Sequence, residues 1–220
     1  MHRIRLEHLP VRINNPMESM SPEGIILHYV GNPSTSALAN ARYFHNVNSK
    51  TSVNYIVDDV EIVEIIPPNM KSYGTKDGEY NSRYIQIEMC HPDSTGRIGE
   101  KTLENVVWLC AKLMLQFDIE KVIRHYDVTG KRCPRWFVYH SDEWNELKER
   151  IKGEFRKMSY EQFCEYMKKY EEEKASEDVS EYAKEAWEKI CDMKVMDESD
   201  PKKPLLREQL AAVLDRLGII

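Results

Sequence analysis

Three side chains in this sequence are metal-type donors set where a chain can hold them still. His28 lies near the C-terminal end of the apolar run IILHY, His125 ends the run KVIRH, and Cys133 follows His125 by eight residues in the loop TGKRCPRW. Zinc in a catalytic site takes three protein ligands, usually imidazole, thiolate or carboxylate, and keeps a fourth position open for water. Two histidines and a thiolate from two strand ends and a loop make a tetrahedral site sterically reasonable. Singly, each reads as structure: a lone strand histidine is more often a satisfied core or surface residue, and a free cysteine usually packs as a small hydrophobe. A carboxylate is available as well. In RYIQIEMC, alternation puts Tyr84, Gln86, Glu88 and Cys90 on one face and Ile85, Ile87 and Met89 on the other, so Glu88 is aimed away from the more apolar side.

The elements that must position these groups follow from the pattern. IILHY is short, β-branched and bounded by Pro22 and Gly24 before it and GNPS after it, which predicts a buried strand. Ser34, Thr35 or Ser36 then caps a helix through ALANARYFHNV. VNYIVDD and EIVEIIP read as a hairpin joined by one or two residues around Asp58 and Asp59. Thr102 is placed to cap a long helix in which Leu103, Val106, Val107, Cys110, Leu113, Met114 and Phe117 follow helical spacing. KVIRHYD reads as a further short strand, and Asp142 as the cap of a closing helix to about Lys157. Strands and helices in this alternation predict an α/β domain over residues 1–157, a central mixed β-sheet flanked by helices.

After Met158 the pattern is helical alone, predicting a small all-α domain over residues 158–220. Ser159 and Gln162 form a capping box before Tyr160, Phe163, Cys164 and Met167; further stripes are Ala183, Ala186, Trp187 and Ile190, then Leu206, Leu210, Val213, Leu214 and Leu217, stopped by Gly218. So short a segment makes a marginal core, which self-association or docking would help.

Charge narrows the function classes. The 220 residues carry a net charge of −6, yet residues 1–157 hold 21 basic and 21 acidic side chains while residues 158–220 hold 10 and 16. Phosphate binding needs clustered Lys and Arg, so a nucleic-acid groove is disfavoured. MHRIRLEHLP has no apolar stretch of signal-peptide length and no window approaches a membrane span, so the expectation is synthesis in the cytoplasm without a signal peptide. Five widely spread cysteines argue against a disulfide framework.

Four ordered segments carry a resemblance to a known family. GIILHYVGNPSTSALANARYF, SVNYIVDDVEIVEIIP, NSRYIQIEMC and VIRHYDVTGKRCP together resemble, over roughly residues 22–140, the type 2 N-acetylmuramoyl-L-alanine amidases, a group that includes phage endolysins, autolysins and peptidoglycan recognition proteins. The resemblance implies His28, His125 and Cys133 as zinc ligands, Glu88 as the catalytic carboxylate and Lys131 as a second catalytic side chain. It implies zinc-dependent cleavage of the amide between the N-acetylmuramic acid lactyl group and L-alanine in peptidoglycan, acting on the bacterial wall after release. Tyr73, in SYGTKDG, and Asn54 depart from the family pattern, which bears on substrate preference rather than on the chemistry. The alternatives are a non-catalytic peptidoglycan-binding protein, which in this family typically lacks the cysteine, and a cytosolic wall-recycling amidase, which has little use for a targeting module.

The tail, through WEKI, DPKKP and REQLAAVLDRLG, is similar to small helical wall-targeting modules behind clostridial-type phage amidases, although Leu206 stands where such modules usually place a Thr cap. The alternative is a helical hairpin that only packs on the catalytic domain. A second translational start at Met158, after Lys152–Gly153–Glu154, is a further expectation. It would supply free tail able to pair with the full chain, as a homodimer of full chains also would.

Overall fold

The computed structural model describes residues 2–9, 14–46, 49–196, 199–203 and 206–219. Val47 of the first expected helix, and Asp197, Glu198, Pro204 and Leu205 of the tail motif, lie outside them. The chain divides into two compact units, Met1–Ser159 and Tyr160–Ile220.

The first unit is built on one six-stranded sheet. Its strands are β1 (Ile4–Leu6), β2 (Gly24–Tyr29), β3 (Tyr55–Val57), β4 (Ile62–Glu64), β5 (Tyr84–Met89) and β6 (Val122–Arg124), in the order β1-β4-β3-β5-β2-β6. β2 is parallel to both β5 and β6, β3 is parallel to β5, and β3 with β4 is antiparallel, so the sheet is mixed as expected. The helices are α1 (Ala37–Asn46), α2 (Gly78–Asn81), α3 (Glu100–Phe117), α4 (His125–Thr129), α5 (Arg135–Tyr139) and α6 (Ser141–Ala175).

Strand alternation sorts the core onto two faces. On one, Ile25, Leu27, Ile85, Ile87 and Met89 pack with Val106, Leu109, Cys110 and Leu113 of α3 and with Trp144, Leu147 and Ile151 of α6. On the other, Ile56, Val63 and Ile65 meet Ala37 and Ala41 of α1. Each fully buried Ile or Leu contributes about 1.5–3 kcal/mol, so these layers hold the sheet flat against its helices.

Local chemistry moved several boundaries. The β3–β4 connection takes four residues, because the Asp58 carboxylate accepts from the backbone N–H of Val60 and Glu61, both at 2.8 Å, and with its other oxygen from Ala37 N–H at 2.7 Å. One carboxylate thus shapes the turn and satisfies an orphan donor at the start of α1. Ser36 supplies the side-chain cap, accepting from Ala39 N–H at 3.2 Å. α3 begins before Thr102: Gly99 is its N-cap without a side-chain bond, and Thr102 is buried inside the first turn. α6 starts at Ser141, which places Asp142 in its first turn, and it does not stop near Lys157. Ser159 caps nothing; its hydroxyl donates to the Phe155 carbonyl within the helix at 2.9 Å, a back-bond that lets the helix run on.

Asn54 is fully buried. Its amide donates to the carbonyls of Pro67 and Met70 at 3.0 and 2.9 Å, while its oxygen accepts from Gln86 N–H at 2.9 Å and Ser72 hydroxyl at 3.0 Å. It ties β3, β5 and the 66–72 segment together.

The second unit contains the C-terminal part of α6, then α7 (Lys184–Asp192) and α8 (Arg207–Arg216). Among its described residues the buried apolar side chains are Ala175 and Val195, while Tyr182, Met193, Leu206 and Leu210 are exposed. Leu206 has no capping oxygen, but Gln209 reaches back to its N–H at 2.9 Å, so half of a capping box stands without the Thr.

Replacing Asn54 by Ala strips partners from buried backbone groups on two segments, the 66–72 stretch and β5. The expected loss is about 3 kcal/mol, read as a lower urea midpoint at unchanged slope. A midpoint within 0.5 kcal/mol of wild type, on the order of the effect of a surface change, would contradict it.

Candidate metal centre

Parallel pairing fixes where the site lies. β2 and β5 run in register with His28 opposite Glu88, and β6 pairs with β2 through Leu27 and Arg124, so that His125 follows at the same end of the sheet. His125 is not the last residue of a strand; it opens α4, because Asp127 accepts from Arg124 N–H at 2.8 Å and turns the chain into a helix directly after β6. Gly130, at φ 73°, ends that helix in the left-handed conformation that glycine adopts without strain. The loop then folds back, and Tyr126 N–H donates to the Cys133 carbonyl at 2.8 Å.

The result brings His28, His125 and Cys133 together, one ligand atom from each lying within 4.8 Å of the others, all three residues buried. His28 Nδ1 is 3.8 Å from Cys133 Sγ, and the two imidazole rings meet edge to face with centroids 4.6 Å apart. Nitrogen and sulfur donors on one tetrahedral zinc stand roughly 3.5 Å apart from their bond lengths. His125 Nδ1 is buried with no hydrogen-bond partner, an orphan atom that a cation would satisfy. The donor set and its spacing fit zinc.

Electrostatics sets each protonation state. Burial, then the neighbouring His125 and the Lys131 charge, lowers His28 to about 3 against the Gln86 hydrogen bond; burial and Lys131 lower His125 to about 4. Both rings are therefore neutral near pH 7, as ligation requires. Burial, then the Glu88 charge, pushes the Cys133 thiol up to about 12, against a Tyr29 backbone hydrogen bond and Lys131. Burial raises Glu88 to about 7, opposed by Lys131, and its Oε2 is enclosed without a partner although the residue as a whole is half-buried. Lys131 itself is exposed, and its charge reaches all four groups.

Glu88 opens onto a cleft of about 330 Å³ lined by Val30, Asn32, Thr35, Asn40, Tyr43 and Phe44 among others. A larger cavity of about 560 Å³, lined by Arg97, Gly99, Trp136 and Glu143 among others, touches none of the five candidate residues. Tyr73 does not line the Glu88 cleft; its backbone pairs with Ser52. The remaining histidines are used structurally, for example His8 on Glu64 at 2.7 Å and His91 between the carbonyls of Val30 and Asp93. Gln86 went unremarked in the sequence as a site residue. It is fully buried and its Oε1 lies 2.6 Å from His28 Nε2, a placement that its sharing a strand face with Glu88 could have signalled.

Fold and site together define an α/β protein with a candidate zinc-type centre at the C-terminal end of its parallel strands. Residues 18–136 match the family model for N-acetylmuramoyl-L-alanine amidase, and the chain belongs to that family. The N-acetylmuramoyl-L-alanine amidase XlyA of Bacillus subtilis (strain 168) is 34% identical over 160 residues, covering 70% of this chain and 52% of the relative. The amidase CwlL of Bacillus licheniformis is 31% identical over 146 residues, covering 59% and 40%. The chain thus spans about half or less of the length of these curated relatives. Among solved structures, a mutant endolysin from Bacillus subtilis and the catalytic domain of XlyA are each 32% identical with a TM-score of 0.61; they cover 69% and 68% of this chain, and 99% of each structure is matched. The expected family and fold class are both borne out.

The raised Glu88 carboxyl has a measurable consequence in the metal-free chain. The folded protein holds that proton up to about pH 7, whereas the unfolded chain releases it near the ordinary value of 4.5, so stability is lost as pH rises through 7. Glu88→Gln is expected to match wild type below about pH 4 and to exceed it by about 2 kcal/mol at pH 8, after discounting for solvent on the half-buried side chain. Urea melts in chelator at both pH values decide it; curves offset equally at both would count against the shift.

Proposed function

We propose that this chain is a zinc-dependent amidase that hydrolyses the bond between the lactyl group of N-acetylmuramic acid and L-alanine in peptidoglycan. The observation that carries the reading is the convergence of His28, His125 and Cys133 beside a carboxyl held near neutrality. These three residues would hold the zinc. When bound, zinc supplies a Lewis acid for the scissile carbonyl and makes an attacking water acidic enough to react near neutral pH.

The remaining chemistry falls to the protein. Glu88 accepts the proton of the attacking water at its carboxylate and delivers it to the departing alanyl nitrogen, a transfer that works best when the carboxyl titrates close to the operating pH. Lys131 places a positive charge where the carbonyl oxygen becomes negative. As the new C–O bond forms, the C–N bond breaks, leaving a lactyl carboxylate and a free amine. The cleft along α1 that ends at Glu88 is a reasonable bed for the muramoyl peptide, with Asn32 and Asn40 for its polar groups and Tyr43 and Phe44 for its apolar ones.

We read residues 1–157 as the catalytic domain and residues 158–220 as a wall-targeting or self-association module, the latter through a homodimer or through pairing with a free fragment begun at Met158. Its thin core and exposed Tyr182, Leu206 and Leu210 support a surface-binding or pairing role. Among the described residues, no helix is long and apolar enough to cross a membrane. The biological setting we assign is an endolysin or autolysin acting on the bacterial wall.

Incubation with purified peptidoglycan is expected to yield new N-terminal alanine, to stop on chelation and to resume on zinc addition. Release of reducing sugars instead would move the cut to the glycan. Glu88→Gln should keep zinc while losing about 10²–10⁴-fold in kcat, and Cys133→Ser should lose both; a Glu88→Gln enzyme of normal rate would remove the proposed base.

A chain ending at residue 159 is expected to cleave a soluble muramoyl peptide at the full-length rate and to lose binding to intact walls in a sedimentation assay. Equal wall binding by both chains would leave the tail without a targeting role, and sedimentation velocity of the full chain, with and without Met158→Ala, reports any pairing.

A further inference from the structure

Gln86 is the buried polar side chain of the centre that the proposed reaction leaves without a task. It sits mid-strand on β5, fully buried, on the same face as Glu88. Its Oε1 lies 2.6 Å from His28 Nε2, while its own Nε2 is enclosed with no partner. The backbone of Gln86 is pinned by its N–H to Asn54 Oδ1, at 2.9 Å. Its side chain lies against Gly74: a Cβ at that position would come within 2.7 Å of Oε1, 2.8 Å of Cδ and 2.9 Å of Cγ. Glycine at 74 is therefore what leaves room for the amide in this pose.

The pose matters because an imidazole offers one lone pair at a time when neutral. Nδ1 of His28 faces Cys133 Sγ and Nε2 faces Gln86. An acceptor at Nε2 favours the tautomer that carries its proton there, which leaves the lone pair on Nδ1, the nitrogen turned toward Cys133 Sγ. A donor at Nε2 would favour the reverse and aim an N–H at the metal position.

We propose that Gln86, given room by Gly74, is a positioning residue that locks His28 in the Nε2–H tautomer and so presets its Nδ1 as a metal ligand. The proposal rests on the zinc reading for its purpose but not for its observable, since the tautomer exists in the metal-free chain. Sequence alternation could place Gln86 on the Glu88 face; only the register of β2 against β5 could place it under His28.

The test uses the full chain with ¹⁵N-labelled histidine, His28 being assigned by its absence in His28→Gln. In the metal-free wild type, the His28 ring is expected to show a protonated Nε2 and an unprotonated Nδ1. Gln86→Met, close in size but without an acceptor, is expected to shift His28 toward a mixture of tautomers and to weaken zinc binding by about 10–100-fold, as outer-sphere partners of ligating histidines generally do. Gln86→Glu restores an acceptor and should return both the Nε2–H signal and zinc affinity to within a few fold of wild type. Gly74→Ala should reproduce the Gln86→Met spectrum by displacing the amide. A protonated Nδ1 in the wild type, or an unchanged His28 spectrum in a folded Gln86→Met chain, overturns the proposal. Failure of the wild type to bind zinc, with the Nε2–H tautomer present, instead overturns the zinc reading and leaves standing only the tautomer lock by Gln86. If Gln86→Met does not fold, the Gln86→Glu and Gly74→Ala spectra decide the matter by the same criteria.

Discussion

Parallel hydrogen bonding of β2 to both of its neighbours is the constraint on which the site depends. Parallel strands point their C-terminal ends the same way, so groups at or just past those ends gather on one edge of the sheet without any loop having to reach far. His28 opposite Glu88, and β6 in register beside β2, are consequences of that pairing. A slip of one residue between β2 and β5 would turn every side chain of one strand to the wrong face, carrying His28 or Glu88 into the layer against α3. The apolar face made by Ile25, Leu27, Ile85 and Ile87 therefore protects the register, and through it the chemistry.

What could be read from the sequence follows the same division. Long periodic elements such as α3 and the alternating β5 announce themselves because burial repeats at helix or strand spacing. His28 and Glu88 were legible for that reason: each lies in a strand whose face assignment is fixed by its neighbours. Boundaries were less so. Thr102 looks like a cap and is buried within α3, while Ser159 looks like a cap and bonds back within α6. In both cases packing or a back-bond overrode a local preference worth about 1 kcal/mol. The fold-back that carries Cys133 to the histidines rests on a backbone bond from Tyr126 to Cys133, which periodicity cannot reveal. Asn54 shows the opposite error, a polar residue expected to bear on substrate preference that turns out to be a buried knot satisfying backbone groups on two other segments.

The second unit follows different physics. A segment of this size buries proportionally little surface, and its buried apolar residues among those described are few. Ion pairs such as Lys174 with Glu177 at 2.6 Å and Lys202 with Glu177 at 2.9 Å lie at its surface, where each contributes little. A module with so little core gains most from whatever covers its exposed Tyr and Leu side chains, which is the physical basis for reading it as a binding or pairing element.

The centre carries an internal tension. Burial drives His28, His125 and Cys133 toward their neutral forms, which costs the metal-free fold little, and it holds Glu88 near its proton. Yet the same burial leaves His125 Nδ1, Glu88 Oε2 and Gln86 Nε2 without partners, three enclosed polar atoms within one small region. Among the described residues these are the buried side-chain polar atoms left unsatisfied, and all belong to this site. The fold pairs its buried polar groups elsewhere, as Asn54 and Asp58 do, so the clustering of unpaired atoms here sets this site apart as a candidate for function. On the proposed zinc reading, a divalent cation would satisfy the first and the attacking water would pair with the second, while the third would be the residual cost of aiming the His28 lone pair. If the centre binds zinc as proposed, binding free energy would supply the stability these atoms lack, so occupancy of the centre and rigidity of β2, β5 and β6 are expected to rise together.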